Sequence, residues 1–177
     1  EVSNSLSDRG SIDFICDEVK GCVAAFNAEG GEEGKITIAR KGIVRLEVNI
    51  RGKAAHAGSA YSQGISAIKE AAHKIIEIEK LSCEQNTTYN CGVIKGGEVE
   101  NIVPEYCSFR IDVRFINQEE FERAMDHVKS VVDTSYIEGT RATLTEISRR
   151  LPMELKDGNV KLFEHMQSVC NKYELER

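Results

Sequence analysis

Hydrophobic and polar residues alternate most clearly in two segments of the chain. In residues 43–51, IVRLEVNIR, and in residues 107–115, CSFRIDVRF, apolar and polar side chains take turns. A shorter apolar segment, TTYNCGVI, occupies residues 87–94, and TRATLTEIS at residues 140–148 repeats the alternation weakly. Because successive side chains of a strand lie on opposite faces, these segments predict four strands that have one buried and one solvated face.

Apolar residues recur at helical spacing between these strands. Steps of three and four predict two amphipathic helices, within residues 62–81 and 118–132. The apolar positions are Ile65, Ile68, Ala72, Ile75 and Ile78 in the first, and Phe121, Ala124, Met125, Val128, Val131 and Val132 in the second. The order strand–helix–strand–strand–helix–strand predicts an α+β fold, a ferredoxin-like βαββαβ antiparallel sheet with two helices on one face.

The two ends of the chain do not fit this unit. Residues 11–20 and 160–173 predict helices, and CVAAFNAE at residues 22–29 is typical of a short strand buried on both faces of a parallel sheet. Glycine-rich EGGEEGK and the segment RRLPMELKDGN mark the junctions. We therefore expect a ferredoxin-like domain at 37–150, inserted into a second α/β domain that supplies the flanks 1–36 and 151–177. The first residue, Glu1 rather than Met, agrees with a piece of a longer protein.

Composition narrows the classes of partner. The net charge of −6 argues against nucleic-acid or anionic-membrane partners. No apolar run approaches the ~20 residues that span a membrane, and no secretory leader is evident.

The six cysteines form no C-x-x-C pair, so reduced core thiols and a cytoplasmic location are favoured over disulfides or a zinc finger.

One histidine lies in an unusual setting. His56 stands among alanines and glycines in RGKAAHAGSAYSQG, residues 51–64, between a predicted strand and a predicted helix. A histidine that caps a helix or binds backbone is one interpretation. The alternative is a functional imidazole, because small neighbours let a substrate or another chain approach. The remaining histidines, His73, His127 and His165, have charged neighbours on helices and are interpreted as surface residues.

Two motifs carry a resemblance to a known family. RKGIVRLEVNIRGKAAHAGSAYSQGISAI contains G-x-A-A-H-A-G, and TTYNCGVIKGGEVENIVPEYCSFRIDVRF contains G-G-x-x-x-N-x-V-P. Together they resemble the lid, or dimerisation, domain of the dinuclear zinc amidohydrolases. This superfamily includes carboxypeptidase G, aminoacylase, acetylornithine deacetylase, succinyl-diaminopimelate desuccinylase and peptidase T. The resemblance covers roughly residues 10–155 and is greatest to the glutamate carboxypeptidase branch, where Tyr61 replaces a common proline.

The resemblance implies roles for three lid residues. His56 matches a histidine that reaches a neighbouring active site across the dimer and hydrogen-bonds the developing oxyanion. Asn101 and Arg114 match residues that bind the carboxylate of the substrate. The planar guanidinium of Arg114 suits this task because it can contact both carboxylate oxygens. Their alternative interpretations are a turn asparagine and a solvated sheet arginine.

The resemblance also implies metal positions in the flanks. Glu29 matches a zinc-binding carboxylate, and Glu1 matches the last acid of a D-E-E stretch if a few residues are inserted after it. Without that insertion, Asn4 and Ser5 fall at those acids and the site would be dead. The family also needs an H-x-D motif, a general-base glutamate and a distal histidine, and no H-x-D occurs in this sequence. We therefore expect two zinc ions in the full-length enzyme and none bound by this chain alone.

Three hypotheses follow for the function. The first is a fragment of a homodimeric zinc metallopeptidase of the carboxypeptidase or deacylase type. It would hydrolyse an amide bond beside a free carboxylate in a peptide or N-acyl amino acid, with the isolated chain inactive. The second is a stand-alone ferredoxin-like module for dimerisation or small-molecule binding. The third is a complete but degenerate relative.

Overall fold

The computed structural model describes residues 9–26 and 36–173. The chain divides into two compact units, one made of Glu1–Arg40 with Met153–Arg177 and the other of Lys41–Pro152. The predicted division at residues 37 and 150, with a lid inserted into a catalytic domain, stays a prediction.

The unit Lys41–Pro152 contains the six predicted elements in the predicted order. They are β1 (Gly42–Arg51), α2 (Ala67–Glu79), β2 (Thr88–Gly96), β3 (Tyr106–Phe115), α3 (Gln118–Asp133) and β4 (Arg141–Arg150). A single turn of 3₁₀ helix, Tyr61–Gln63, precedes α2. The helix preceding β1 in sequence is α1 (Arg9–Glu18), and α4 (Asp157–Lys172) follows β4.

These strands form one sheet in the order β2-β3-β1-β4, in which all neighbours are antiparallel. Both helices contribute to one core: α2 contacts β1, β2 and β3, whereas α3 contacts β3 and β4. The ferredoxin-like α+β fold predicted from the sequence is confirmed.

The core forms between the helices and one face of the sheet. Alternate residues of β1 and β3 are buried there, as the pattern predicts: Val44, Leu46, Val48 and Ile50, with Cys107, Phe109, Ile111, Val113 and Phe115. The helices begin at capped residues, because Ser66 accepts a hydrogen bond from the Lys69 N–H and Asn117 from the Glu120 N–H. The opposite face of β1 and β3 carries polar side chains.

The buried face of α2 differs from the one that its apolar residues predict. Ile68 and Ala72 are exposed, whereas Glu70 and Lys74 are fully buried. The two charged residues form an ion pair, which makes their burial possible. For α3 the predicted core positions are confirmed, with Met125 half-buried and the others buried.

The unit of the chain ends holds α1 and α4. Arg40 and Met153 exchange two backbone hydrogen bonds, and the Asn159 side chain donates to the carbonyls of Ile38 and Glu154. The strand predicted at residues 22–29 is wrong over 22–26, which are not in a strand, and Val23 and Phe26 are exposed. A strand of that kind needs neighbours on both sides, and the described residues supply none. Among these residues, no helix has both the length and the apolar character to cross a membrane.

Candidate functional site

The segment that carries His56 is held between two neighbouring segments. On one side, Lys53 and Ile65 exchange two backbone hydrogen bonds of 2.8 and 2.9 Å. On the other, the Ala57 N–H donates to the Asn101 carbonyl and the Val103 N–H to the Ala55 carbonyl, each at 2.8 Å. The position of His56 is therefore set by backbone pairing, although His56 itself lies in an exposed loop.

The imidazole of His56 is fixed by two backbone donors. The N–H groups of Gly58 and Ser59 lie 3.1 and 3.2 Å from Nδ1. Because both groups are donors, Nδ1 is the acceptor and the neutral ring carries its proton on Nε2. A Cβ atom on Gly58 would come within 3.4 Å of the ring, so the small residue allows this close arrangement. The result is an exposed imidazole with an N–H donor at Nε2.

His56 and Asn101 lie together. The segment of His56 and that of Ile102 form an antiparallel bridge, and Asn101 is the backbone acceptor for the residue after His56. Both residues are exposed. The two sequence motifs that contain them are thus one structural unit.

Arg114 lies elsewhere on the domain. It is near the end of β3, whereas the segment of Asn101 leads into the start of that strand at Tyr106. At ~3.3 Å per residue, the strand between Tyr106 and Arg114 spans roughly 26 Å. The structure therefore does not bring Arg114 together with His56 and Asn101 within one protomer.

The outer face of the sheet, opposite the helices, carries charge-paired side chains around Arg114. Its Nε lies 2.5 Å from an oxygen of Asp112 on the same strand. On the same face of the sheet, Arg110 Nε of β3 lies 2.9 Å from a carboxylate oxygen of Glu47 on β1. The hydrogen bond from Arg110 lowers the pKa of the Glu47 carboxyl, against the opposing effect of desolvation. No role for Asp112 or Glu47 could be predicted from sequence, because cross-strand partners depend on the register.

Two thiols of this unit are unsuited to nucleophilic chemistry. Burial and the nearby charge of Glu79 raise the pKa of Cys91 to about 12, and burial raises the pKa of Cys107. Both therefore stay protonated at neutral pH.

An open depression lies beside Glu70 and Lys74. It is separate from the candidate site residues, since its lining includes neither His56 nor Arg114.

The resemblance implies two metal positions in the first flank of the chain. Glu29 and Glu1 lie outside the described residues. Within residues 9–26 and 36–173, no group of three or more histidine, cysteine, aspartate or glutamate side chains could hold a metal ion. This part of the chain does not fit a zinc site by itself.

Two contacts near the helices were not predicted. The Lys69 ammonium lies 2.6 Å from the Tyr61 hydroxyl and 5.3 Å from the centre of its ring, so Tyr61 is paired beside the His56 segment.

His127 is half-buried rather than a surface residue. Its Nε2 lies 3.2 Å from the Glu77 carbonyl and 3.3 Å from that of Ile78, so it caps the end of α2. Only the packing of α3 on α2 reveals this role.

Comparison with known proteins shows which family the chain resembles. Residues 38–140 match the family described as the peptidase dimerisation domain. Carboxypeptidase G2 of Pseudomonas sp. strain RS-16 is 34% identical over 119 residues, which are 66% of this chain and 29% of that protein. Acetylornithine deacetylase of Myxococcus xanthus is 33% identical over 106 residues, 52% of this chain and 27% of that protein. The chain thus spans less than a third of the length of these curated relatives.

A solved structure shares the fold. Aminopeptidase PepT from Bacillus cereus superposes with a TM-score of 0.65 at 24% identity, over 82% of this chain and 39% of that one. With the family match covering more than half of the residues and the lid motifs paired in space, the chain belongs to the peptidase dimerisation domain family.

Proposed function

We propose that this chain is the lid and dimerisation part of a zinc-dependent hydrolase of the carboxypeptidase type. The whole protein would cleave an amide bond beside a free carboxylate, in a peptide or an N-acyl amino acid. Residues 37–150 form the lid in this proposal, and the flanks 1–36 and 151–177 belong to the catalytic domain. The family and the carboxypeptidase and deacetylase names of the relatives support it. The cytoplasm suits its six unpaired cysteines.

The hydrogen bonding of His56 is the observation that carries the proposal. Two backbone N–H groups hold Nδ1, so the neutral imidazole presents a donor at Nε2. When an amide carbonyl is attacked, negative charge develops on its oxygen, and a donor fixed beforehand stabilises that charge without reorganising. One such donor is worth about 10²–10³ in rate. The exposed setting of His56 leaves room for a substrate bound by another protomer.

The separation of the site residues favours a shared site. His56 and Asn101 lie at one end of β3 and Arg114 near the other. All three can act on one small substrate only if they come from different protomers. In the proposed homodimer, Arg114 binds the carboxylate in its own protomer's site, and His56 with Asn101 reaches that site from the partner.

The edge at β2 is the better candidate for the dimer contact. It carries the exposed apolar residues Val93 and Ile94, and α2 beside it carries exposed Ile68 and Ile76. On the other edge, the exposed residues of β4 are polar or charged apart from Ile147, and such side chains protect an edge from pairing. Exposed Ile102 continues the apolar surface to the His56 segment. A second copy paired along β2 would extend the sheet and bring His56 to the interface.

In this proposal, zinc is bound by the full-length protein and not by this chain alone. The sequence has no H-x-D motif, and the described residues offer no metal site. In this proposal most ligands and the general base come from parts of the catalytic domain outside this chain. Glu29 and Glu1 remain proposed ligands. The isolated chain is accordingly expected to show no hydrolase activity.

The experiment uses two full-length variants that are impaired for different reasons, assayed at a substrate concentration well below the wild-type KM, where the rate follows kcat/KM. His56→Ala should lower kcat and kcat/KM together by about 10²–10³, because an oxyanion contact forms chiefly in the transition state. Arg114→Ala should instead raise KM. When the two are mixed and protomers exchange, half of the dimers are hybrids with one site that has both residues intact. Activity should recover to about a quarter of the wild-type value.

The matched control is His73→Ala, which removes an exposed histidine of α2 and should leave kcat unchanged. Hybrid dimers must be demonstrated by differential tagging of the two variants. If hybrids form and no activity returns, His56 does not act across the interface. If wild-type full-length protein hydrolyses no peptide or N-acyl amino acid, the proposed activity is wrong.

A further inference from the structure

One side-chain contact joins the loop of His56 to helix α2. The Lys69 ammonium donates a hydrogen bond of 2.6 Å to the Tyr61 hydroxyl. Its distance of 5.3 Å from the ring centre is about the sum of that bond and the distance from the ring centre to the hydroxyl oxygen. The ammonium therefore lies beyond the hydroxyl, in line with the ring, and not over the ring face where a cation–π contact would place it. The contact thus depends on the hydroxyl.

Tyr61 comes directly after the turn that orients the imidazole. The Ala60 N–H donates to the His56 carbonyl at 3.0 Å, which closes a turn around Gly58 and Ser59. The N–H groups of these two residues are the ones that hold Nδ1. Tyr61 is the next residue and begins the 3₁₀ helix. A displacement of Tyr61 therefore moves the end of the turn that supplies both donors.

The loop has few other anchors. Backbone hydrogen bonds to Ile65 and Asn101 hold its two ends. Within the described part of the chain, the contact of Tyr61 with Lys69 is the one side-chain hydrogen bond that joins residues 57–64 to another element. The position of the residues between the two ends therefore depends on this contact.

Helix stability does not explain the position of Lys69. Ser66 caps α2 and accepts the Lys69 N–H, so Lys69 belongs to the first turn of the helix. A cation is unfavourable there, because the amino end of a helix carries partial positive charge. The contact with Tyr61 gives the ammonium a role at this position.

The backbone at Ala60 is compatible with tyrosine at the next position and not with the common proline that Tyr61 replaces. Ala60 has φ −140° and ψ 27°. A residue before proline is driven to an extended conformation, with ψ of about 120–160°. Tyr61 permits the turn that Ala60 closes, and its bond to Lys69 supplies a restraint that does not need a proline ring.

We propose that Tyr61 and Lys69 are positioning residues that hold the turn of His56, so that the imidazole keeps its proton on Nε2. This inference rests on the proposed function, in which that N–H binds the oxyanion, and deepens it by naming what fixes the donor. Both side chains are exposed, Tyr61 at 55%. A contact between exposed groups adds little to global stability, but it changes the population of an ordered turn by up to about fivefold.

The test observes the tautomer of His56 directly. The full-length protein, with isotopically labelled histidine nitrogens, is studied by NMR at about pH 8.5, where imidazoles are neutral and ammonium groups are charged. The His56 signals are those missing from His56→Ala. In the wild-type protein Nδ1 should give the signal of an unprotonated nitrogen. Tyr61→Phe and Lys69→Met should each shift that signal toward the protonated value, and the double variant should shift it no further, because both remove the same bond.

Activity provides the second measurement. Tyr61→Phe and Lys69→Met should each lower kcat and kcat/KM together by up to about fivefold. Lys69→Arg should retain most of the wild-type signal and rate, since a guanidinium also donates to a hydroxyl. The matched controls are Tyr173→Phe, which alters a tyrosine that is 62% exposed, and Lys80→Met at the other end of α2. Both should leave the His56 signals and kcat unchanged.

The two measurements separate this inference from the proposed function. Unchanged His56 signals in Tyr61→Phe or in Lys69→Met overturn the inference, whatever the activity. Equal shifts in the control variants also overturn it, because the effect would then not belong to this contact. Shifted signals in a protein that hydrolyses no amide would contradict the proposed function and leave the positioning role standing.

Discussion

The ammonium group of Lys74 lies 2.8 Å from the Glu70 carboxylate, one helical turn away, and both side chains are 1% exposed. Lys74 also donates to the carbonyls of Val131, Val132 and Thr134 at the end of α3. Glu70 accepts the N–H groups of Tyr136 and Ile137 in the connection to β4. The pair thus joins α2 to the end of α3 and to the segment after it.

Removing one member of this pair should be costly. We expect Lys74→Met to lower the free energy of unfolding by about 3–5 kcal/mol, because it leaves the Glu70 charge buried without its partner. Lys80→Met is the matched control. Lys80 is paired with Glu77 at 3.4 Å at the end of the same helix, but it is 66% exposed, and loss of that pair should cost under about 1 kcal/mol. Denaturant unfolding measures both, and equal effects would contradict the role of burial.

The pH dependence of stability should reflect Glu70. Burial alone would raise the pKa of this carboxyl, but hydrogen bonds from Lys74, Ile137 and Tyr136 outweigh burial and lower the pKa. A lowered folded pKa gives stability that is complete above about pH 4.3, the ordinary value for glutamate, and is lost as the pH falls through the folded pKa.

Glu70→Gln should therefore make stability less dependent on pH in this acid range, because glutamine does not titrate. Unfolding free energies of the two proteins, measured from neutral pH downward, check this expectation. The difference between them should be largest near neutral pH and shrink on acidification. A constant difference across the range would show that Glu70 titrates alike in the folded and unfolded chains.

Gly52 should tolerate no side chain. A Cβ atom there would collide with the carbonyl oxygen of Ile65, which accepts the Lys53 N–H in the pairing that supports the His56 segment. We expect Gly52→Ala to destabilise the protein by about 1–3 kcal/mol, as other overpacked sites do, and to lower the hydrolase activity that is proposed for the full-length protein. In Gly158→Ala the added atom meets nothing within 4 Å, and alanine is favoured over glycine in a helix such as α4, so that control should keep wild-type stability or raise it slightly. Thermal denaturation followed by circular dichroism separates the two.

The sheet could be predicted from sequence because its two central strands alternate without exception. Val44 to Ile50 and Cys107 to Phe115 assign a buried face by period alone, and the structure confirms it. The face of α2 could not be predicted in the same way. The isoleucines of α2 lie on more than one side of the helix. Glu70 and Lys74 are buried because they form an ion pair with each other, and a hydrophobicity scale that counts charged residues as exposed cannot detect this.

The candidate site could be predicted only in part. Its motifs identified His56 and Asn101, and the bridge between their segments then follows from the fold. The tautomer of His56 depends on two backbone N–H groups whose direction no pattern encodes. The ion pair of Arg110 with Glu47 required the register of β1 against β3.

The proposed homodimer gives a prediction that distinguishes the two edges of the sheet. Ile94 of β2 and Ile147 of β4 are similarly exposed, at 52% and 47%, and each lies on an edge strand. If the β2 edge pairs with a second copy, Ile94→Lys buries a charge in the contact and should weaken dimerisation by at least about tenfold, since an unpaired buried charge costs several kcal/mol. Ile147→Lys should leave the dissociation constant unchanged. Sedimentation equilibrium of the full-length variants measures both constants. A dimer weakened by Ile147→Lys and not by Ile94→Lys would assign the interface to β4 and separate it from the His56 segment, which would also remove the basis for a site shared between protomers.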